Sequence, residues 1–80
     1  MPVLFRYKGY RFHFYSNEGN PREPAHVHVQ KGREAAKYWL DPVVQLAGSA
    51  HMNGATVREL EQIVNDNRLT FLRLWNEHFA

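Results

Sequence analysis

The 80-residue chain is predicted to be a single α+β domain, in which a four-stranded antiparallel sheet is covered on one face by one long C-terminal helix. The first half contains four segments rich in aromatic and β-branched residues, and turn-forming residues separate them. The second half instead has apolar residues at the three-and-four spacing of a helical face. A chain this short forms one domain, which we place at residues 1–80.

The four predicted strands form two hairpins. They are Val3–Tyr7, Tyr10–Tyr15, Ala25–Gln30 and Arg33–Leu40. Lys8-Gly9 and Lys31-Gly32 supply the glycine that a two-residue hairpin turn needs. Ser16–Pro24 concentrates glycine, asparagine and proline, which indicates a loop between the hairpins. Two hairpins joined by one loop favour a four-stranded antiparallel sheet.

The C-terminal helix is predicted to start at Thr56. Glu59 follows three residues later, which is the spacing of a capping box. No glycine or proline interrupts the segment from Val57 to His78, so we expect one continuous helix. The preceding segment, residues 43–54, has no clear periodicity and fits either a short strand or a loop packed beneath the sheet.

Side-chain alternation along the strands predicts one apolar face and one polar face. Val3 belongs to the apolar rows, and we expect the core to contain the following residues: Phe5, Phe12, Phe14, Val27, Val29, Leu60, Ile63, Val64, Phe71 and Trp75. The opposite rows carry the following polar or aromatic residues: Arg6, Lys8, Arg11, His13, Tyr15, His26, His28, Gln30, Lys37 and Trp39. No acid lies in these opposite rows.

Composition excludes several classes of protein. The chain has no cysteine, which excludes disulfides and thiolate zinc sites. It has neither a secretory signal nor a run of roughly 18 apolar residues, so we expect a cytoplasmic protein without a membrane partner. A formal charge of +2 permits a nucleic-acid partner without requiring one. No sequence motif indicates a cofactor.

The segment Arg22–Val29, with the order Pro24-Ala25-His26-Val27-His28, resembles the small bacterial proteins of domain of unknown function family 4160. The resemblance extends over nearly the whole chain. It includes the glycine turn after this segment, the run Tyr38-Trp39-Leu40-Asp41-Pro42, and a closing helix with Trp75-Asn76. The family often has proline where this chain has Ala25, and again where it has Val57. The resemblance implies a partner more than a reaction, since such proteins are often encoded in pairs that resemble toxin-antitoxin operons.

His26 and His28 are the candidate catalytic residues. They share one strand face, and histidine is the side chain whose ordinary pKa suits general acid and base catalysis. One imidazole could remove a 2′-hydroxyl proton and the other protonate the leaving oxygen, as in a metal-free ribonuclease, while Arg11 or Lys37 stabilises the transition state. The simplest alternative is a structural pair that hydrogen-bonds to nearby loop backbone.

Two further alternatives remain for the same histidines. A metal site would need a third ligand, for which His13, Glu23 and Asp41 are the candidates. The last alternative is a surface that binds RNA or DNA without chemistry. That surface would be formed by the following residues: Arg6, Arg11, His13, Tyr15, Lys37 and Trp39.

The end of the helix is the candidate protein interface. Its apolar residues there are too numerous for the single face that a sheet can cover, and Leu69, Leu72 and Phe79 extend around the helix. We expect either a protein partner encoded nearby or a homodimer formed through this segment.

Overall fold

A computed structural model of the protein describes residues 3–15 and 23–80. The strands are β1 Val3–Tyr7, β2 Tyr10–His13, β3 His26–Lys31, β4 Glu34–Trp39 and β5 Gln45–Ala50, and the helices are α1 Gly54–Asp66 and α2 Arg68–His78. The strands form one antiparallel sheet in chain order. The α+β class, the antiparallel sheet and the C-terminal helical region are therefore confirmed. The predicted count of four strands and one helix is wrong.

Both hairpin turns have two residues, but only one lies where the sequence placed it. Lys8 and Gly9 have φ values of 50° and 83°, the left-handed conformation that such a turn requires. In the second hairpin Lys31 pairs with Glu34, so the turn consists of Gly32 and Arg33, one residue later than predicted.

Strand β5 occupies part of the segment that the sequence left unassigned. It pairs with β4, and the register shifts between Lys37 and Tyr38. Its residues QLAGSA are mostly small and exposed, so they lack the alternation that reveals a half-buried strand. The predicted strands also end differently: β2 stops at His13, β3 starts at His26, and β4 is one residue shorter at each end. Of the predicted loop Ser16–Pro24, residues 16–22 lie outside the described residues.

The helical region begins earlier than expected and is divided. Asn53 is the N-cap, and its side chain accepts a hydrogen bond of 2.8 Å from the Thr56 backbone N–H. The predicted capping box is wrong, because Glu59 instead bonds the side chains of Lys8 and Tyr7 in the first hairpin. At Asn67 the backbone leaves the helical region, with φ −112° and ψ 14°.

The division at Asn67 has a local chemical cause. The Asn67 side-chain amide donates to the Ile63 carbonyl at 2.8 Å, and its backbone N–H is shared between the carbonyls of Ile63 and Val64. Asparagine side chains compete in this way with the regular helical ladder. The prediction of one continuous helix is wrong for this reason.

The core lies between the sheet and the two helices. It consists of Tyr10, Phe12, Phe14, Val27, Val29, Ala36, Tyr38, Leu40, Leu60, Val64, Phe71 and Trp75. The predicted core is confirmed except that Phe5 and Ile63 are only partly buried. Tyr38 donates a hydrogen bond to the Val57 carbonyl at 2.8 Å, and burial raises the pKa of its hydroxyl to about 12.

A β-bulge removes Val3 from the core face. Val3 pairs with His13 while Phe5 pairs with Phe12, so Leu4 is one residue extra in β1. Leu4 packs against the core in its place. The prediction that Val3 belongs to the apolar rows is wrong. Within the described ranges, neither helix is long and apolar enough to cross a membrane.

Candidate nucleic-acid interface

The sheet side opposite the core has a defined set of strand residues, and we call it the histidine face. Its first row is Arg6, Arg11, Gln30, Ala35 and Ala50, its second is Val3, His13, His28, Lys37 and Gly48, and its third is His26, Trp39 and Gln45. Residues that oppose each other in antiparallel strands point to the same side. The register therefore brings together the predicted binding residues of β1 to β4.

Tyr15, the remaining predicted binding residue, follows the end of β2. Its ring lies 4.9 Å from that of His13 and 4.4 Å from that of His28, edge-on to both. Tyr15 thus borders the histidine face beside the two imidazoles. The binding role of these residues stays a prediction.

Lys8 does not belong to the histidine face, although alternation placed it there. It lies in the first hairpin turn, and its ammonium is 2.8 Å from the Glu59 carboxylate on α1. This hydrogen bond and charge raise the pKa of Lys8 and lower that of Glu59. Strand alternation ends where the turn begins, which is why the prediction was wrong.

His26 is fully buried, with 0% of its surface exposed. Its Nδ1–H donates to the Pro24 carbonyl at 2.9 Å. Its ring centre lies 5.5 Å from that of Trp39 and 4.9 Å from that of Trp75 on α2. The prediction that His26 projects from a face not covered by a helix is wrong, because α2 reaches the end of the sheet where β3 begins.

His28 and His13 lie next to each other on β3 and β2. Their rings are stacked, with centres 5.9 Å apart and planes 19° from parallel. His28 is partly exposed, whereas His13 is only 6% exposed. The ring of His26 is 5.1 Å from that of His28, so three imidazoles form one continuous group. Of the two candidate catalytic residues, only His28 is accessible to a substrate.

The pKa of His13 lies below that of an ordinary histidine, which favours the neutral imidazole. Burial is the largest cause that lowers its pKa, and the nearby His28 and Arg11 lower it further. A side-chain hydrogen bond with Gln30 acts in the opposite direction. Nδ1 of His13 is buried and has no hydrogen-bond partner within residues 3–15 and 23–80.

The cations of the histidine face differ in their partners. Arg11 forms no ion pair with any described residue, and Arg6 is exposed. Lys37 lies 3.7 Å from the Glu23 carboxylate and 4.5 Å over the Trp39 ring. The contact between Glu23 and Lys37 brings a carboxylate to the edge of this face, and the sequence analysis did not predict it.

Two depressions of about 210 Å³ each lie on the histidine face. We call the first the arginine pocket, which is lined by Val3, Arg11, His13, Tyr15 and Gln30. We call the second the glycine trough, which is lined by His28, Ala35, Ala36, Lys37, Gly48, Ser49 and Ala50. Sequence reasoning missed both. The first depends on the bulge in β1 and the second on the unpredicted β5.

A three-ligand metal site is not formed by any His, Asp or Glu side chains in the described parts of the chain. Comparisons with curated proteins and with solved structures give no match. The family described as domain of unknown function (DUF4160) matches residues 9–76, which include β2 to β5, α1 and most of α2. Because the match covers most of the domain, the chain belongs to this family.

Proposed function

We propose that the protein binds single-stranded nucleic acid on the histidine face. The observation that carries this proposal is the cross-strand array of Arg6, Arg11 and Lys37, with no acidic strand residue on the same side of the described sheet. Nucleic-acid affinity comes largely from neutralised phosphates, and an array of this kind supplies the required positive charge.

The separation of charge across the domain supports this proposal. Glu59, Glu61, Asp66 and Glu77 lie on the helices, on the other side of the sheet. A phosphate backbone that approaches the histidine face therefore meets the cations of its strands, and Glu23 opposes it beside Lys37. Such an arrangement steers a polyanion towards one side of the domain.

Aromatic and shallow surfaces supply contacts for bases. Trp39 is partly exposed, and the Lys37 ammonium lies 4.5 Å over its ring. Bases stack on exposed aromatic rings in many proteins that bind single strands. Lys37, which contacts the Trp39 ring, also lines the glycine trough. The small side chains of the trough allow a flat ring to approach the backbone.

The test is the salt dependence of binding to an end-labelled oligonucleotide of about ten nucleotides. Each phosphate contact to a single strand contributes about −0.7 to the slope of log affinity against log salt. Arg11→Gln should reduce the magnitude of this slope by about 0.7, the contribution of one phosphate contact. The matched control is Arg33→Gln, which removes the same charge from the exposed turn between β3 and β4. Equal effects of the two substitutions would contradict the proposal.

A second experiment fills the glycine trough without disturbing the fold. A Cβ at Gly48 would meet no atom within 4 Å, and the backbone there has no left-handed φ. We expect Gly48→Val to fold normally and to bind the oligonucleotide more weakly. Unchanged affinity would exclude the trough from the interface.

The alternative function, a metal-free ribonuclease, requires both His26 and His28 at the substrate. The orienting partner that such chemistry needs is present, because the Pro24 carbonyl fixes the His26 ring. The complete burial of His26 nevertheless keeps its ring away from a phosphodiester on the surface. The observations therefore favour binding over cleavage, and absence of RNA cleavage by the purified protein is the expected result.

We also propose a protein partner at the start of α2, in keeping with the toxin-antitoxin-like gene pairs implied for this family. Leu69 is 76% exposed, whereas Leu72 and Phe79 are partly buried against the core. The candidate contact surface therefore contains fewer exposed apolar side chains than the sequence predicted. Leu69→Glu should leave the fold intact and abolish either homodimerisation in sedimentation or co-purification of the neighbouring gene product.

A further inference from the structure

We propose that the arginine pocket takes one ribose of an RNA strand, with the 2′-hydroxyl bonded to His13 and the adjacent phosphate to Arg11. This inference rests on the proposed function and adds a chemical preference for RNA over DNA. The 2′-hydroxyl is the group by which a protein distinguishes the two at a given site.

The first support is the unfulfilled hydrogen-bonding capacity of His13. The residue is 6% exposed, it lines the pocket, and its Nδ1 lacks a partner within the described residues. Folded proteins satisfy nearly all of their buried polar atoms, and an unsatisfied one calls for an explanation such as a ligand. A ligand group in the arginine pocket would provide that partner.

The second support is the kind of partner that His13 requires. Burial lowers the pKa of His13 and so favours the neutral imidazole, whereas a side-chain interaction with Gln30 raises it, as expected when the Gln30 oxygen accepts from the ring. The proton then lies on the nitrogen that faces Gln30, and Nδ1 is left as an acceptor. A phosphate oxygen cannot donate to it. A ribose hydroxyl can.

The third support is the remaining lining of the pocket. Arg11 has no carboxylate partner among the described residues and can hold the phosphate that adjoins the ribose. Val3 offers apolar contact to the sugar carbons, and the β1 bulge places it there. The volume of about 210 Å³ suits one sugar better than a whole nucleotide, since drug-sized ligands occupy roughly 300 Å³ or more.

Nδ1 of His13 is buried in this conformation, so a ligand hydroxyl reaches it only when the His13 ring or a neighbouring side chain such as Tyr15 moves. This side chain is partly exposed and meets the His13 ring edge-on at 4.9 Å. Tyr15 lies two residues after the end of β2, outside the paired strand. Tyr15 would then contact the bound strand from the side.

The experiment compares four end-labelled oligouridylates of equal length on the wild-type protein by fluorescence anisotropy. They carry ribose, deoxyribose, 2′-O-methylribose or 2′-fluororibose. One hydrogen bond of typical net strength corresponds to roughly fivefold in affinity. We expect the ribose form to bind about fivefold more tightly than the other three, because only the free hydroxyl can donate to Nδ1.

Two variants separate the groups involved. His13→Phe keeps a ring of similar shape and should remove the preference for ribose, so that the ribose and deoxyribose strands bind this variant equally. Arg11→Gln should weaken both strands by the same factor and keep the preference. Circular dichroism establishes that each variant is folded, and the modified strands test the inference on wild-type protein if a variant is not.

The outcomes distinguish this inference from the proposed function. Equal binding of ribose and deoxyribose strands by the wild-type protein would overturn the ribose pocket and leave nucleic-acid binding in place. A preference for ribose that persists in folded His13→Phe would likewise overturn the ribose pocket and leave nucleic-acid binding in place. No binding of any strand at about 50 mM salt, where phosphate contacts are strongest, would overturn both.

Discussion

His13 differs from an imidazole in water because the sheet buries it beside Arg11 and a second imidazole, His28. His28 and Arg11 face it from β3 and β2, and Tyr15 packs on its edge. Gln30 is its hydrogen-bonding neighbour on β3. Protonation of His13 in the folded protein would place a charge in a largely buried position, which explains the direction of its pKa shift.

The lowered pKa of His13 predicts a loss of stability in mild acid. The unfolded chain has the ordinary histidine pKa of about 6.5, so below that pH it binds a proton that the folded protein resists. The free energy of unfolding should therefore fall as the pH drops below about 6.5 and recover above it. Urea denaturation at several pH values measures this effect.

The expected loss of stability in mild acid comes from the burial of His13 and not from the number of histidines in the chain. His13→Phe should make stability less dependent on pH between about 5 and 7. His51→Asn is the matched control, since His51 is exposed with φ 56° and asparagine tolerates that conformation. A pH dependence that persists in His13→Phe and is lost in His51→Asn would contradict the prediction.

At the level of single residues, alternation along β2, β3 and β4 predicted which side chains share a face but not how deeply each is buried. His26 and His28 belong to the same side of β3, yet one is fully buried and the other partly exposed. The difference arises from Trp75, which is 49 positions away from His26 in the chain (75 − 26) and meets it only in the folded domain. No local pattern carries that information.

At the level of elements, α1 depends on a cap at Asn53, three residues before the predicted cap at Thr56. The Asn53 side chain accepts the Thr56 N–H, and this bond satisfies one of the free donors at the helix start. Asn53→Ala should lower the free energy of unfolding by about 1 kcal/mol. The same change at Asn65, which is exposed within α1, should slightly stabilise the protein because alanine is the better helix former. Chemical denaturation of both variants measures the difference, and equal effects would contradict the assigned cap.

The elements that the sequence predicted are those with strong local signals. β1 and β2 alternate around a left-handed Lys8-Gly9 turn, and β3 has valines at every second position. β5 and the division at Asn67 lack such signals: one is built of small residues, and the other depends on a side chain that bonds its own backbone. Strand alternation predicted the histidine face. It did not predict the arginine pocket or the glycine trough, because these depend on the β1 bulge and on β5.

At the level of the whole molecule, stability rests on a small aromatic core. Phe71 of α2 lies 6.0 Å from Phe12 of β2 and 6.2 Å from Phe5 of β1, measured between ring centres. Phe71→Ala should cost about 3–5 kcal/mol, which is most of the stability of a domain this size. Leu69→Ala, on the exposed side of the same helix, should change it by less than about 0.5 kcal/mol. Thermal and urea unfolding followed by circular dichroism test both, and a folded, stable Phe71→Ala protein would contradict this account of the core.

The order of the sheet also bears on how the domain folds. Each strand pairs with the next one in the chain, and two of the four connections are two-residue turns. Contacts between nearby segments cost little loop entropy, so proteins rich in them fold quickly. The helices, by contrast, must close on strands from the far end of the chain, as when Phe71 meets Phe5. The five-stranded sheet can therefore assemble by successive hairpins. Docking of α2 onto this sheet is the step that closes the longest loop.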